Sequence, residues 1–441
     1  MVKIMEQKKY LKFIEFIDLS LWDVKRLFLS SIKSNYSIIS LKEIITERSE
    51  KEKIYQQPEE IFGILGVNNK VGIFDAYTEE GKNINQAYKK VYELDLAYNP
   101  YRVNVGSVGL KTNKNKFNYI SPAYVVFSCD KEKLLSEYFY ILFKTDYFNK
   151  IINENTTGSV RQNLKFSTLS EIKIPLPSLS EQNKIVEEYN NKLKQSEKAE
   201  KEAQNIEKEI ENYLMEELGI EIDERKEKKK GLQFVEFKTL DKWDSFFSTG
   251  NRKQSKISLK FNSVKIKEIS SLKMGSSPNS DYFNNTGKGF PFIGGASEIK
   301  NNNIEVTRFT TRPTTISKKG DLILCVRATI GKIIWSDKEY CLGRGVAGLT
   351  IDKKIVIPKY FSILLNYYEK DLQSFGTGST FKQISKTTIE DFIIPLPPLK
   401  VQEKIVKHIS ELKSKIKDLK EFSENLKNSA RIDFEKEIFN G

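Results

Sequence analysis

The sequence predicts an α+β protein in which one globular domain followed by a long helix occurs twice in tandem. A proline-rich phrase appears as IPLPSLSEQNKIV at residues 174–186 and again as IPLPPLKVQEKIV at residues 394–406. The segments that follow the two phrases contain no proline and have apolar residues at helical spacing. The segments that precede them mix short β-like runs, turns and helix-like stretches, which is typical of mixed α/β or α+β domains.

The duplication extends over the whole chain. At an offset of 220 residues, 157–186 aligns with 377–406 without a gap, and 13 of the 30 positions are identical. A second block near the start of each copy, 8–23 against 229–244, is identical at 9 of 16 positions. The middles of the two copies are far less similar. Similar ends and different middles indicate two related domains that present different surfaces.

The repeated phrases predict the domain boundaries. Pro-x-Pro favours an extended backbone and cannot continue a helix, so each phrase is expected to lead the chain out of a globular domain. We therefore expect a first domain over residues 1–178, a central long helix over 179–220, a second domain over 221–398 and a C-terminal long helix over 399–441. Within the middles, AYVVFS and GDLILCV predict buried strands.

The two long helices are predicted to form an antiparallel coiled coil. In the C-terminal helix, apolar residues recur in steps of three and four at Ile405, Ile409, Leu412, Ile416, Leu419, Phe422 and Leu426. A weaker stripe in the central helix contains Tyr189, Leu193, Ser196, Ala203, Ile206, Ile210 and Leu214. At 1.5 Å per residue, each helix would be roughly 50–60 Å long. Two independent helices that each bind another protein are the alternative.

Composition favours an anionic partner. The chain has 72 Lys and Arg against 59 Asp and Glu, a formal net charge of +13, and nucleic acid is the first candidate for such a surface. A generally basic proteome is the alternative explanation. The three cysteines lack metal-ligand spacing and fit a reducing cytoplasm. Because no 18-residue apolar run is present, we expect neither a secretion signal nor a membrane span.

Loops in both middles carry side chains suited to DNA. Arginine can contact guanine with two hydrogen bonds, asparagine can contact adenine in the same way, and lysine supplies charge for phosphates. The candidate DNA-binding residues are Asn68, Asn69, Lys70, Arg102 and Arg161 in the first domain and Asn301, Arg308, Arg312, Arg327 and Arg344 in the second. A weak echo between the copies relates Arg102-x-x-x-Gly106 to Arg327-x-x-x-Gly331. A structural ion pair is the alternative role for each arginine.

Catalytic motifs are incomplete. The NPYR sequence at residues 99–102 lacks the second proline of the Asn-Pro-Pro-Tyr motif of amino-methyltransferases, and no Gly-rich cofactor loop precedes it. The GTGS sequence at 376–379 lacks the Gly-Lys-Ser/Thr ending of a phosphate-binding loop. The single histidine, His408, falls in a long helix, which argues against histidine-based catalysis and His-rich metal sites. We therefore predict a binding protein with no catalytic residue, metal site or cofactor.

Taken together, the paired motifs resemble the specificity (S) subunit of type I restriction–modification systems. Each copy contains Thr-Gly-Ser, then Pro-Leu-Pro, then Gln-x-Lys-Ile-Val and a long helix, and the resemblance spans nearly the whole chain. One departure is Val401, which stands where the first copy has Glu181.

The resemblance implies a division of labour. Each middle would be a target recognition domain for one half of a bipartite double-stranded DNA sequence, and the coiled coil would fix the gap between the halves. Two separate S-adenosylmethionine-dependent methyltransferase subunits would dock on this scaffold around a pseudo-twofold axis, and a motor and nuclease subunit would join them. The residues expected to form the hinges and to contribute to partner docking are Pro175, Pro177, Gln182, Pro395, Pro397 and Gln402.

Two other functions stay open at this point. The chain could be a coiled-coil scaffold or a stand-alone DNA-binding protein without restriction partners. It could also be a methyltransferase or nuclease with degenerate motifs. A cytoplasmic location without membrane contact is expected in each case.

Overall fold

The structure is a computed structural model. It describes residues 32–155, 163–222, 256–258, 260–300, 303–377 and 382–439. The sequence blocks at 8–23 and 229–244, and the Thr-Gly-Ser sequence at 157–159, lie outside the described residues.

The chain divides into two compact units. Unit 1 consists of residues 1–200 and 421–441, and unit 2 consists of residues 201–420. The two long helices, α4 (Leu179–Leu218) and α9 (Leu399–Ile438), are therefore each shared between the units. Each unit has a globular part and a paired section of both helices.

Unit 1 contains three sheets built from short strands. A two-stranded sheet has the order β1-β11, a four-stranded sheet has the order β2-β10-β7-β8, and a five-stranded sheet has the order β3-β6-β9-β4-β5. The strands are β1 (Ser37–Ser40), β2 (Ile45–Glu47), β3 (Lys51–Glu52), β4 (Ile61–Asn68), β5 (Gly72–Glu80), β6 (Tyr88–Lys90), β7 (Leu96–Tyr98), β8 (Val108–Leu110), β9 (Tyr119–Ile120), β10 (Val125–Cys129) and β11 (Lys173–Leu176). The short helices of this unit are α1 (Ser136–Phe143), α2 (Asp146–Asn155) and α3 (Phe166–Ser170).

Unit 2 has the same types of sheet. The orders are β14-β26, β15-β25-β22-β23 and β16-β20-β17-β24-β21, with two further pairs, β12-β13 and β18-β19. The strands are β12 (Ile220–Ile222), β13 (Lys256–Ser258), β14 (Ser263–Lys265), β15 (Ser270–Met274), β16 (Phe283–Asn284), β17 (Phe290–Ile293), β18 (Ile299–Lys300), β19 (Asn303–Ile304), β20 (Phe309–Thr310), β21 (Ile316–Ser317), β22 (Leu322–Cys325), β23 (Ile333–Trp335), β24 (Tyr340–Leu342), β25 (Val346–Ile351) and β26 (Ile393–Pro395). The short helices are α5 (Ile266–Ile269), α6 (Pro358–Tyr367), α7 (Glu369–Ser374) and α8 (Lys386–Glu390).

The two middles share the strand order of their four-stranded sheet and a central parallel pair in their five-stranded sheet, although their sequences differ. In the four-stranded sheets, β2, β10, β7 and β8 correspond in order to β15, β25, β22 and β23. In the five-stranded sheets, the central parallel pair is β4 with β9 in unit 1 and β17 with β24 in unit 2. The α+β class and the duplicated architecture predicted from the sequence are confirmed. The predicted strands at 123–128 and 320–326 are also present, as β10 and the fully buried β22.

Each proline-rich phrase forms a short strand that leads directly into a long helix. In β11, Pro175 is paired with Ile38 of β1, and in β26, Pro395 is paired with Ser263 of β14. Both ribbons have only two strands, so the missing N–H of proline interrupts no larger ladder. The chain then enters α4 or α9 within three or four residues.

The long helices pack antiparallel within each unit. In unit 1, the ring of Tyr189 contacts that of Phe434, and Ser196 faces Ser423. In unit 2, the ring centroids of Tyr213 and His408 are 4.2 Å apart. Residue numbers rise along one helix as they fall along the other, which confirms the predicted antiparallel coiled coil.

The predicted apolar stripe of α9 is wrong at one position. Ile405 and Ile409 are fully buried, but Phe422 is 51% exposed, and Ser423 is buried in its place. A step of four from Leu419, rather than the assumed step of three, keeps the seam facing its partner helix. Apolarity at position 422 was therefore a poor guide to burial.

A buried polar pair lies in the seam of unit 1. The hydroxyl groups of Ser196 and Ser423 are 2.7 Å apart, and Ser423 donates a hydrogen bond of 3.0 Å to the carboxylate of Glu200. The same carboxylate accepts from Lys427 at 2.5 Å. Because the one hydroxyl proton of Ser423 goes to Glu200, Ser196 must be the donor in the serine pair.

This direction predicts an unequal effect of two similar substitutions. Ser423→Ala leaves the Ser196 donor without an acceptor in a buried seam, and should lower the free energy of unfolding by about 1–3 kcal/mol. Ser196→Ala leaves Ser423 bonded to Glu200 and should cost less. Chemical denaturation would measure both, with Ser414→Ala at an exposed position of α9 as the control. Equal costs for the two buried serines would contradict the assigned direction.

Candidate nucleic-acid interface

The hairpin loops that carry Arg102 and Arg327 occupy the same place in the two units. The first lies between β7 and β8, and the second between β22 and β23. Each loop ends with a glycine at positive φ, 81° at Gly106 and 94° at Gly331, a conformation that other residues rarely adopt. Both arginines are exposed. The weak sequence echo therefore marks a shared loop that presents an arginine to solvent.

In unit 1, the arginine loop lies beside the tip of the β4–β5 hairpin. A Cβ placed on Gly106 would be 3.8 Å from the Cβ of Asn69, and the hydroxyl of Ser107 donates to the carbonyl of Val67 at 3.2 Å. The structure thus brings three predicted residues, Asn69, Lys70 and Arg102, to one exposed surface. We call this surface the unit 1 loop surface.

Asn68 has a structural role at this hairpin tip. Its side-chain oxygen accepts hydrogen bonds of 2.9 Å from the backbone N–H groups of Lys70 and Val71. This contact closes the turn that displays its neighbours. Only the amide NH2 of Asn68 is left for another molecule.

Sequence analysis missed the apolar part of the unit 1 loop surface. Val71, Tyr101 and Val105 are 62%, 56% and 57% exposed. They flank Lys70 and Arg102 in sequence. Apolar groups at such positions can contact a thymine methyl group, and a tyrosine ring can pack on sugar or base. The sequence signal that could have located them is an apolar residue directly beside a basic loop residue, as in Val71 after Lys70 and Tyr101 before Arg102.

In unit 2, the arginines meet in a cavity of about 1020 Å³. Three predicted residues, Arg308, Arg327 and Arg344, line it together with Phe283, Phe292, Glu298 and ten smaller residues, Ser277, Pro278, Ser280, Gly294, Gly295, Ala296, Ser297, Ala328, Thr329 and Gly345. We call it the arginine cavity. Its lining holds three guanidinium groups and one carboxylate, so the surface it presents is cationic.

Arg308 is held over two aromatic rings at the cavity wall. Its guanidinium carbon lies 5.6 Å from the centroid of Phe283 and 5.1 Å from that of Phe292, within the usual range for cation–π attraction. A terminal nitrogen of Arg308 also lies 3.9 Å from the carboxylate of Glu298. By contrast, the side chains of Arg327 and Arg344 have no ion pair or hydrogen bond with the described residues. They are left available for a ligand.

The cavity wall contains an unusual backbone conformation. Ala328, directly after Arg327, has a φ of 57°, which costs a non-glycine residue of the order of 1 kcal/mol or more. Its N–H donates to the carbonyl of Lys382 at 3.1 Å. This hydrogen bond helps to hold the loop in the form that directs Arg327 outward.

Of the three remaining predicted residues, the structure describes Arg312. Arg312 does not line the cavity and instead packs on Tyr282, with its guanidinium 4.5 Å from the ring centroid and a hydrogen bond of 2.8 Å to the hydroxyl. Arg161 and Asn301 lie outside the described residues. DNA contact by these three residues stays a prediction.

The six predicted hinge residues form buried joints. Gln182 and Gln402 are fully buried, and Pro175, Pro177, Pro395 and Pro397 are buried as well. Gln182 accepts from the N–H of Leu135 and donates to the carbonyls of Lys133 and Pro177, all within 2.9 Å. These contacts make Gln182 and its counterparts part of the domain structure, and a contribution of the six residues to partner docking stays a prediction.

The second joint repeats the first. Gln402 accepts from the N–H of Ile357 at 2.8 Å and donates to the carbonyls of Ile355 and Pro397. A buried tyrosine supports each joint, since Tyr138 donates to the carbonyl of Pro175 at 3.0 Å and Tyr360 donates to that of Pro395 at 2.9 Å. Burial raises the pKa of both phenols, so they stay protonated as hydrogen-bond donors.

Comparison with known proteins defines the family. A family model described as the type I restriction modification DNA specificity domain matches residues 34–212 and 259–428. These two segments contain the unit 1 loop surface, the arginine cavity, both joints and most of both long helices. The chain belongs to this family.

Relatives in this specificity-domain family match most of the chain. The chain is 25% identical over 409 residues to a putative type I restriction enzyme MjaX specificity subunit of Methanocaldococcus jannaschii, covering 88% of this chain and 89% of that protein. It is also 25% identical to the MjaIX specificity subunit of the same organism, covering 65% of this chain and 64% of that protein.

A solved structure supports the fold. A chain from a study of complex assembly and conformational transition in the type I restriction–modification system aligns with a TM-score of 0.62 at 19% identity, covering 92% of this chain and 98% of that chain. With two family domains in tandem, the present chain is a specificity subunit of a type I restriction–modification system. Specificity subunits are non-catalytic recognition components, so the degenerate-enzyme alternative is set aside.

The structure adds two observations about sites and membranes. Among the described residues, no three His, Cys, Asp or Glu side chains are grouped so that they could hold a metal ion. In the same part of the chain, no helix combines the length and the apolarity required to cross a lipid bilayer.

The buried joints predict a large stability effect in this specificity subunit. Gln182→Leu should lower the free energy of unfolding by about 1–3 kcal/mol, because it removes the partner of the half-buried Leu135 N–H and of two carbonyls. Gln402→Leu should act similarly in unit 2. Asn190→Leu, at an exposed amide of the same helix as Gln182, is the matched control. Chemical denaturation would test this, and equal midpoints for Gln182→Leu and Asn190→Leu would contradict the role assigned to the joints.

Proposed function

We propose that each unit recognises one half of a bipartite DNA target, and that the helix pair sets the gap between the two halves. The observation that carries this proposal is the equivalent placement of the Arg102 and Arg327 loops in two units whose four-stranded sheets have the same strand order. Each loop presents exposed basic residues, but the surrounding side chains differ. One frame with two different surfaces is suited to two different DNA sequences.

The net charge of +13 supports a nucleic-acid partner. The unit 1 loop surface and the arginine cavity both display guanidinium groups that lack a protein partner among the described residues. Phosphate contacts by such groups would make binding strongly salt-dependent. Arg102, Asn69 and Lys70 are the proposed contacts of unit 1, and Arg308, Arg327 and Arg344 are those of unit 2.

The chain is proposed to work with other subunits. Two S-adenosylmethionine-dependent methyltransferase subunits would supply the chemistry, and a motor and nuclease subunit would complete a restriction complex. The duplication supports two docking positions, because the repeated helices present repeated exposed surfaces to identical partners. The exposed faces of α4 and α9 are the proposed docking surfaces, since the joint residues themselves are buried.

Exchange of one recognition region tests the two-reader proposal. Residues 36–155 would be replaced by the corresponding region of another specificity subunit, and the chimera would be expressed with its methyltransferase partner. Methylation mapping of the host genome should show a change in one half of the target only. A change in both halves, or in neither, would contradict the proposal.

The spacing role predicts a change in gap length. One heptad inserted into α4 and one into α9 at facing positions would lengthen the pair by about 10 Å at 1.5 Å per residue. This corresponds to about 3 base pairs at 3.4 Å each. Methylation mapping should show both half-sites retained with a longer gap. An active variant with an unchanged gap would count against the spacer, and a conservative surface change such as Ser414→Ala should leave the gap unaltered.

A further inference from the structure

The arginine cavity of unit 2 carries information about the base pair that it would accept. Its lining combines the three guanidinium groups of Arg308, Arg327 and Arg344 with a single carboxylate, that of Glu298. No asparagine or glutamine belongs to the lining that the structure describes. The cavity is therefore rich in charged donors and has one charged acceptor.

Base edges in the major groove differ in what they require. Guanine presents two acceptors, N7 and O6, which arginine contacts with two parallel hydrogen bonds. Cytosine presents the N4 amino donor, which a carboxylate accepts. Adenine requires a donor and an acceptor together, as a carboxamide supplies, and thymine presents a methyl group. The charged groups of the lining, three arginines and one glutamate, match a G·C pair. The lining lacks the carboxamide that suits adenine, and its two phenylalanine rings, Phe283 and Phe292, are occupied by Arg308.

The glutamate is fixed in place before any ligand arrives. One oxygen of Glu298 accepts from the backbone N–H groups of Gly294 and Gly295 at 3.2 and 3.0 Å. The other oxygen accepts from the hydroxyl of Ser297 at 2.9 Å and faces Arg308. Each carboxylate oxygen has further lone pairs, so this second oxygen can still accept an amino group at the cavity.

Gly294 leaves room for this arrangement at the cavity wall. A Cβ on Gly294 would lie 3.3 Å from the terminal nitrogen Nη2 of Arg308 and 3.1 Å from the ring of Phe292. Glycine thus permits the guanidinium to lie against the aromatic wall. Because Arg308 is stacked on Phe283 and Phe292, less of its conformational freedom is left to lose when it binds a planar base edge.

The unit 1 loop surface has a different composition. Among the described residues, it offers the carboxamide of Asn69, the ammonium of Lys70, the guanidinium of Arg102 and the exposed apolar groups of Val71, Tyr101 and Val105. A carboxamide suits adenine and apolar groups suit a thymine methyl. In the part of the chain that the structure describes, arginines are therefore concentrated in the cavity of unit 2 and not on the unit 1 loop surface.

We infer that unit 2 selects a G·C base pair in its half of the target, with arginines of the cavity at the guanine edge and Glu298 at the cytosine amino group. This inference rests on the proposed function, because it names the base pair that the second recognition surface takes. The competing role for the same arginines is contact with phosphate, which would contribute affinity without base preference.

The test uses the full chain with its methyltransferase partner and compares wild type with Arg308→Ala, Arg327→Ala and Arg344→Ala. Lys353→Ala removes one exposed positive charge of unit 2 that does not line the cavity, and serves as the matched control. Methylation mapping should reveal a G·C pair in the wild-type target. At least one arginine variant should lose discrimination at that pair by about 10- to 100-fold, with the other half-site unchanged. The control should keep the wild-type preference.

A second set of variants separates base contact from charge and folding. Arg→Lys at the same three positions keeps the charge but not the planar pair of donors, so it should relax discrimination at the same base pair. Rescue by lysine, or uniform weakening on all sequences with a smaller salt dependence, would identify a phosphate contact and overturn the inference. If the half-site recognised by unit 1 is unchanged in a variant, the variant chain is folded and assembled.

Two outcomes distinguish this inference from the proposal beneath it. In the first, the wild-type target has two parts, but the base pair at which the arginine variants lose discrimination is A·T. This result would overturn the inference and leave the two-reader function in place. A wild-type complex with no two-part target would overturn the proposed function, and the inference with it.

Discussion

A buried glutamine at the start of each long helix connects the parts of each unit. Gln182 bonds at once to the residue before helix α1, to the loop that precedes it and to the proline at the end of the strand. Gln402 does the same in unit 2. In a buried setting, each of these backbone groups would be costly without a partner. The direction in which the helix leaves the domain is thereby coupled to the packing of the domain core, and the loop surfaces are built on that core.

The unit 1 loop surface and the arginine cavity can differ in their side chains because similar sheets support them. The strand order of the four-stranded sheet and the position of the arginine hairpin are the same in both units, whereas the residues that surround the hairpin have little in common. In unit 1 the loop lies beside a β-hairpin tip at Asn69, and in unit 2 it lines a cavity together with Gly294, which follows β17. Each frame depends on apolar burial that many sequences satisfy. A loop supported by such a frame can change its chemistry without loss of the fold.

Much of the fold could be predicted from sequence because its signals are local. Pro-x-Pro restricts the backbone at the end of β11 and β26, and periodic apolar residues define the helices. The echo between Arg102 and Arg327 located a shared loop, since Gly106 and Gly331 need positive φ. Three-dimensional contacts were harder to predict. The arginine cavity combines residues from distant parts of unit 2. The side chain of Asn68 is hydrogen-bonded within its own turn, and Ser423 rather than Phe422 lies in the seam between the helices. The burial of Gln182 was also missed, because a polar residue in a repeated motif suggests a surface contact.

The serine pair in the helix seam has a counterpart that is not polar. Ser423 corresponds to Ala203, 220 residues earlier, and Ser196 corresponds to Ile416, 220 residues later. These two apolar residues pack together in unit 2. If either helix paired with a second copy of itself in the same register, a serine would face alanine or isoleucine, and its buried hydroxyl would lack a partner. The duplicated halves are therefore not interchangeable. Two small hydroxyl groups favour the union of the first helix with the second over the self-association of either one.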